Sequence, residues 1–237
     1  MAYEYELEYP VAQSGASARA TFIRRTYAHL AGAVLAFIGL EALLLKVVDP
    51  NDVFQLLGTG RYSWLIVLAA FMGASWLAQV WARSETSPVV QYLGLGLYVV
   101  CQALICLPLL LYAAHFVADK SLIPTAGVLT LAVFGGLTAS VFVTKKDYNF
   151  LAPILTVGSF IALGVIVAGI IFGFSLGLFF SFAMVALLCG FILYETSSVL
   201  LHFRTDQHVA AALMLFSSIA TLFWYILRIL IILNDRR

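Results

Sequence analysis

Charge is what this chain has least of. Lysine and arginine number 13 and aspartate and glutamate 12 among 237 residues, 11% in all, for a net charge of +1. Water-soluble domains carry about 25% charged residues, so a solvated exterior around a buried core is excluded. Basic residues form no run longer than a doublet, which removes the electrostatic footprint of a nucleic-acid binder. The three cysteines, Cys101, Cys106 and Cys189, all lie in apolar runs and include no CxxC pair, so neither a disulfide framework nor a thiolate metal site is expected. His29, His115, His202 and His208 include no pair three or four residues apart on one segment, which leaves a dedicated metal or other cofactor without ligands. A P-loop and HExxH are absent, and the Gly94 and Gly96 pair lacks the third glycine and preceding strand of a dinucleotide fingerprint. No enzymatic activity is expected.

Apolar sequence is what remains: 63% of residues are hydrophobic and the mean hydropathy is +1.02. Seven apolar segments fall near residues 28–46, 62–82, 89–113, 122–143, 150–173, 176–201 and 209–233. Each is about the 20 residues needed to cross roughly 30 Å of hydrocarbon as a helix. The fold expected is therefore an all-α, polytopic integral membrane protein with a bundle of seven transmembrane helices. A polar tail over 1–27, without a signal-peptide core, precedes the bundle at 28–233, and a short polar end follows over 234–237. The connections, including VDPNDVFQLLGTGR, RSETSP, HFVADK, TKKDYN and HFRTDQ, carry most of the charge. Gly173, Ser175 and Gly177 mark a tight hairpin between the fifth and sixth segments.

Basic residues orient the chain. With the N-terminus in the cytoplasm, Arg19, Arg24, Arg25, Arg83, Lys145, Lys146 and Arg204 lie inside, against Lys46, Arg61, Lys120, Arg236 and Arg237 outside. Small residues at four-residue spacing, in the sets Ala28/Gly32/Ala36, Ala70/Ala74/Ala78 and Ala132/Gly136/Ser140, are expected to let helices approach closely. Tyr62, Trp64, Trp76, Trp81, Tyr148 and Phe150 sit where interfacial anchors belong.

One residue stands against this background. Glu195 interrupts FAMVALLCGFILYETSSVLLHFR, Phe182 to Arg204, and an ionised carboxylate at mid-bilayer depth costs roughly 2.5–3.5 kcal/mol on insertion scales. Ser198 at i+3 and His202 at i+7 share its helical face, and Tyr194 and Thr196 flank it. On the last segment Ser218, Thr221, Tyr225 and Arg228 step by 3, 4 and 3 along one face, with Ser218 at a similar depth to Glu195. A polar seam between the last two helices is expected, with Glu195 accepting hydrogen bonds from hydroxyls or holding its own proton. Glu41, the other acid inside a segment, lies near Lys46 and is expected to anchor its helix at the interface.

The chain resembles the bacterial branch of the Bax inhibitor 1, or transmembrane Bax inhibitor motif, family over roughly residues 20–233. FIRRTYAHL (Phe22–Leu30) looks like the family's R-x-T-Y opening. AVFGGLTASVFVTKKDYNFLAPIL (Ala132–Leu155) is similar to its fourth segment and K-x-D loop. GFILYETSSVL (Gly190–Leu200) looks like its L-Y-D-T element, and AALMLFSSIATLFWYILRIL (Ala211–Leu230) like its A-L-x-L-Y-L-D-x-x-N ending. The resemblance implies seven helices and a pH-sensitive leak for calcium or another cation, governed by two aspartates on the sixth and seventh. By position the first corresponds to Glu195, the second to Ser218, and the nearby Asn to Thr221. One carboxyl beside a hydroxyl lacks the like-charge repulsion of a pair, so a two-acid switch is not expected in its usual form.

A second reading comes from relatives linked to the membrane-anchored FtsH-type protease. The acidic, tyrosine-rich YEYELEYP near the N-terminus suits a segment that engages such a partner, in a non-transporting role in membrane-protein quality control. Membrane lipids are the remaining expected partner, and the bacterial inner membrane the expected location.

Overall fold

The computed structural model describes residues 10–58, 62–84 and 87–236. Residues 1–9, which hold most of YEYELEYP, and Arg61 and Arg237 lie outside them. Among the described residues no strand forms, apart from an isolated bridge between Pro10 and Arg204. A 3-10 turn at Val11–Gln13 leads into α1 (Ala16–Val47), followed by α2 (Pro50–Gly58), α3 (Ser63–Ala82), α4 (Pro88–His115), α5 (Leu122–Thr144), α6 (Leu151–Phe172), α7 (Leu178–Leu201) and α8 (His208–Asn234). All but α2 are long and apolar enough to cross a membrane, which gives the seven-span, all-helical architecture read from the sequence.

Two elements differ from that reading. The first apolar segment, read as 28–46, is the C-terminal part of a 32-residue helix that already begins at Ala16. Nothing between Ala16 and Ala28 breaks a helix, and Phe22 and Thr26 continue the buried stripe that runs on through Leu30, Ala33 and Phe37. The connection VDPNDVFQLLGTGR contains helix α2. Asp49 caps it by accepting the Asn51 N–H at 2.8 Å, and Pro50 fits the first helical position because its missing N–H would go unpaired there. Phe54 of α2 meets Phe116 edge-on at 5.6 Å, which lays the short helix beside the end of α4.

Turn chemistry sets the other junctions. Gly173 adopts φ 76° and Lys145 φ 49° just past the ends of α6 and α5, and each returns its N–H to the carbonyl four residues back. Glycine takes the left-handed region without a penalty; lysine pays about 1–2 kcal/mol for it, offset at this loop by bonds described below.

The bundle is built around α8. Of its most apolar stretch 61% is buried inside the protein, against 44% for α4 and 17–22% for the others. Phe216 on α8 meets Phe37 of α1 and Tyr98 of α4 with ring centres at 5.9 and 6.1 Å. The tightest approach joins α3 and α4: a Cβ on Gly94 would lie 2.6 Å from both the Ala78 carbonyl oxygen and the Ala82 nitrogen. Only a residue without a side chain allows that contact.

The small-residue stripes behave differently from expectation. Ala78 is buried at the α3–α4 contact, but Ala70 is exposed, as are Ala28, Gly32 and Ala36 on α1 and Ala132, Gly136 and Ser140 on α5. The α1 stripe lines an open groove of about 690 Å³ beside α4. The faces turned inward instead carry Phe22, Leu30 and Phe37 on α1 and Leu122, Phe134 and Val141 on α5. Large side chains have more to gain from packing against protein than Ala or Gly, so they take the inner face and leave the small residues to the outside.

Candidate functional site

Helix α7 places Glu195 against α8. The residue is 6% exposed in a run of buried positions from Glu195 to Val199. Ser218 of α8, also buried, is its hydroxyl neighbour across the helix pair, while carboxyl atom Oε2 has no partner. Tyr98 of α4 stands close enough to sense the carboxyl's charge and lies beside Ser217 and Ser75, so a third and a fourth helix contribute polar atoms here. The carboxyl is thus inside protein on a membrane-spanning helix, bordered by hydroxyl groups.

One turn further along α7 the surroundings become polar. Tyr194 and Ser198 of α7, His202 just past its end, Met214 of α8, Arg83 after α3 and Gln207 before α8 line a polar cavity of about 280 Å³. It opens at the end of the bundle where α1, α4, α6 and α8 begin. Loop 145–150 closes beside it: Ser197 Oγ accepts the Tyr148 N–H at 3.0 Å and approaches the Lys146 carbonyl at 3.3 Å. His202 Nε2 meets Asp147 Oδ2 at 3.1 Å. Asp147 accepts the Asn149 N–H at 2.9 Å, and this bond, followed by His202, holds its carboxyl below the usual aspartate range.

The residues expected to form one polar seam are therefore distributed. Glu195 and Ser218 come together, and Ser198 lines the cavity one turn away. His202 turns to Asp147 in the loop, because the α7 helix ends at Leu201 and releases it from the Glu195 face. Thr221 Oγ1 donates to the Ser217 carbonyl of its own helix at 2.7 Å. Tyr225 packs against Phe180 and Trp224 at the opposite end of the bundle. Arg228 lies over the Trp224 ring at 5.4 Å and donates to the Leu176 carbonyl of the α6–α7 hairpin, so it fastens a loop and does not face Glu195.

Two features went unread in the sequence and a third was misread. The hydroxyl of Tyr27, in the R-T-Y element of α1, lies beside those of Thr138 and Thr196, adjacent to Glu195 in the chain, and all three are buried without a hydrogen-bond partner. Tyr98, Gln102 and Cys106 form a polar ladder on the buried face of α4, with Gln102 Nε2 donating to Cys106 Sγ at 3.6 Å. Their four-residue spacing was the available signal. Glu41 is 5% exposed, with both carboxyl oxygens unpartnered, and Lys46 does not reach it. The interfacial anchor expected there is instead a second buried acid, because α1 turns Glu41 inward with Phe37.

Fold and site define a seven-span helical membrane protein with a protein-buried acid between its last two helices. The family described as inhibitor of apoptosis-promoting Bax1 matches residues 19–235, and the chain belongs to that family. An uncharacterized Pseudomonas aeruginosa protein is 31% identical over 216 residues, 87% of each chain. Protein LIFEGUARD 4 of Arabidopsis thaliana is 26% identical over 93% of this chain and 88% of its own. Protein lifeguard 4 of Mus musculus is 28% identical over 95% and 91%. No solved structure matches the chain.

Proposed function

We propose that this protein is a non-enzymatic, pH-sensitive leak for calcium or another cation, seated in a bacterial inner membrane with its N-terminus in the cytoplasm, and that Glu195 is the group whose proton sets the open and closed packing of α7 and α8. The observation that carries this reading is a carboxyl buried at lipid depth, one oxygen unpartnered, a single turn from a polar cavity open at the bundle end. Protonated, Glu195 is a neutral hydrogen-bonding partner for Ser218. Ionised, it must draw cations or water from the cavity, because a carboxylate without compensation is not stable there. Ser218 in the place of a second acid makes this a one-proton device, so its pH response is expected to have the steepness of a single titrating group.

Reconstitution into vesicles loaded with a calcium-sensitive dye tests it. Cation flux is expected to vary with pH in the natural protein and to lose that variation in Glu195→Gln, which keeps the shape and removes the ionisation. An unchanged pH profile in the variant would remove Glu195 from the role.

A second reading is supported by where the N-terminal segment attaches. The Val11 N–H donates to the Phe203 carbonyl at 2.8 Å, and Arg19 donates to the carbonyls of Val11 and Ala12 at 3.2 and 2.7 Å, which ties the root of the tail to the α7–α8 connection. A membrane-anchored FtsH-type protease gripping that tail would pull on the connection beside the cavity. Deletion of residues 1–9 is expected to abolish co-purification with such a protease while leaving flux intact; retained co-purification would contradict this reading.

A further inference from the structure

At the end of the bundle where α1, α4 and α8 begin, side chains from all three helices meet. His29 Nδ1 lies 2.7 Å from the Arg25 carbonyl and so carries the proton, which leaves Nε2 to accept the Tyr92 hydroxyl at 3.0 Å. His208 packs beside His29 with ring centres 5.0 Å apart, and Arg25 stands close enough to act on the His208 charge. Arg24 and Arg25 are exposed, and among the described residues no carboxylate pairs with either. Asp206, the acid near His208, is engaged by Arg204 at 2.9 Å. This corner is therefore cationic, with a guanidinium whose fork can take a phosphate.

The open groove of about 690 Å³ between α1 and α4 starts from this corner. His29 and Tyr92 form its polar end, and Gly32, Ala36 and Leu40 of α1 and Leu95, Gly96 and Val99 of α4 line the rest. Arg25, four residues before His29, continues the same face of α1 beyond the polar end. From His29 to Leu40 the α1 wall rises about 16 Å. Half of a hydrocarbon core of roughly 30 Å is about 15 Å, so the groove is one leaflet long.

That length selects the occupant. A transmembrane helix of another protein needs a contact surface through both leaflets. A second copy of this chain, docked here about a two-fold axis, sets Arg24 and Arg25 against their own counterparts. An acyl chain of one leaflet matches the groove, and a headgroup of net negative charge matches Arg25 at its end.

We infer that the α1–α4 groove is a binding site for an anionic phospholipid of the leaflet at that end of the bundle, with one acyl chain between Gly32 and Gly96 and the phosphate against Arg25. The site lies on the lipid-facing surface, apart from the Glu195 cavity, and does not depend on the leak.

The test uses the full chain in phosphatidylcholine nanodiscs in which phosphatidylglycerol with the same acyl chains replaces a rising share of the lipid, and follows the thermal midpoint. Phosphatidylglycerol is expected to raise the midpoint saturably. Soluble glycerol 3-phosphate, which has the phosphate and no chain, is expected not to. Arg25→Gln is expected to weaken the apparent affinity for phosphatidylglycerol about fivefold. Gly32→Leu and Gly96→Leu fill the groove from opposite walls, at positions where an added Cβ meets nothing within 4 Å, and each is expected to abolish the saturable shift with Arg25 still in place. No saturable response in the natural protein, an equal response to glycerol 3-phosphate, or an undiminished response in Arg25→Gln or in either filled variant would overturn the assignment.

Discussion

The two acids buried in this bundle, Glu195 and Glu41, are 6% and 5% exposed, yet they sit in opposite chemical settings. Glu195 is reached by Ser218 and Tyr98 and lies one turn from a polar cavity. Glu41 has no partner on either oxygen, and its side chain lies beside an apolar cavity lined by Phe37, Phe216 and Phe223. Burial alone therefore says little about what a membrane-embedded carboxyl does. The neighbouring helices decide whether it meets hydroxyl groups beside a polar cavity or apolar side chains alone.

Helix α4 separates the two settings and offers the strongest way to break the comparison. Gly94 lets α4 touch α3, and the same helix carries Tyr98 toward Glu195 and Cys106 toward Glu41. Gly94→Leu is expected to cost more than about 3 kcal/mol, beyond ordinary overpacking, because the added carbons meet backbone. Unfolding in denaturant checks it, and near-natural stability would mean the α3–α4 contact is looser than described. A smaller effect sharpens the contrast between the acids directly. Glu41→Leu removes an orphaned polar group from an apolar wall and is expected to stabilise by about 1–3 kcal/mol, whereas Glu195→Leu gains nothing because it sets an apolar side chain against the Ser218 hydroxyl. Equal gains in the two variants would erase the distinction.

The smallest effect lies at the surface. Asp147 has a lowered folded pKa, so its contribution is complete above the unfolded value near 4 and is lost as pH falls through the lower, folded one. Half-exposed and paired with His202, it is expected to supply about 0.2–1 kcal/mol. Asp147→Asn should flatten this part of the acid-side loss of thermal stability below about pH 4; an unchanged acid slope would separate the loop from the bundle's stability.

Much of the fold was legible because transmembrane helices are written in single long apolar runs whose length the bilayer fixes. Six of the seven segments read from the sequence end within a few residues of the observed helices. The exception, α1, begins in polar sequence that no bilayer argument reaches. The candidate site was legible only where spacing along one helix matched packing across two, as with Glu195 and Ser218. Spacing could not show that α7 stops at Leu201, freeing His202 for Asp147, or that Arg228 fastens the α6–α7 hairpin. Glu41 was misread for a related reason: its position near a segment end suggested an anchor, and only the rotation of α1 about its axis reveals which way it faces. Helical periodicity signals rotation weakly here, since lipid and protein interior are both apolar and every face of these helices is hydrophobic.

The most direct test of the account is cation flux through the reconstituted protein as a function of pH, with Glu195→Gln measured beside the natural chain. A single-proton pH dependence that vanishes in the variant is expected. A variant whose flux follows pH as the natural protein does would contradict it.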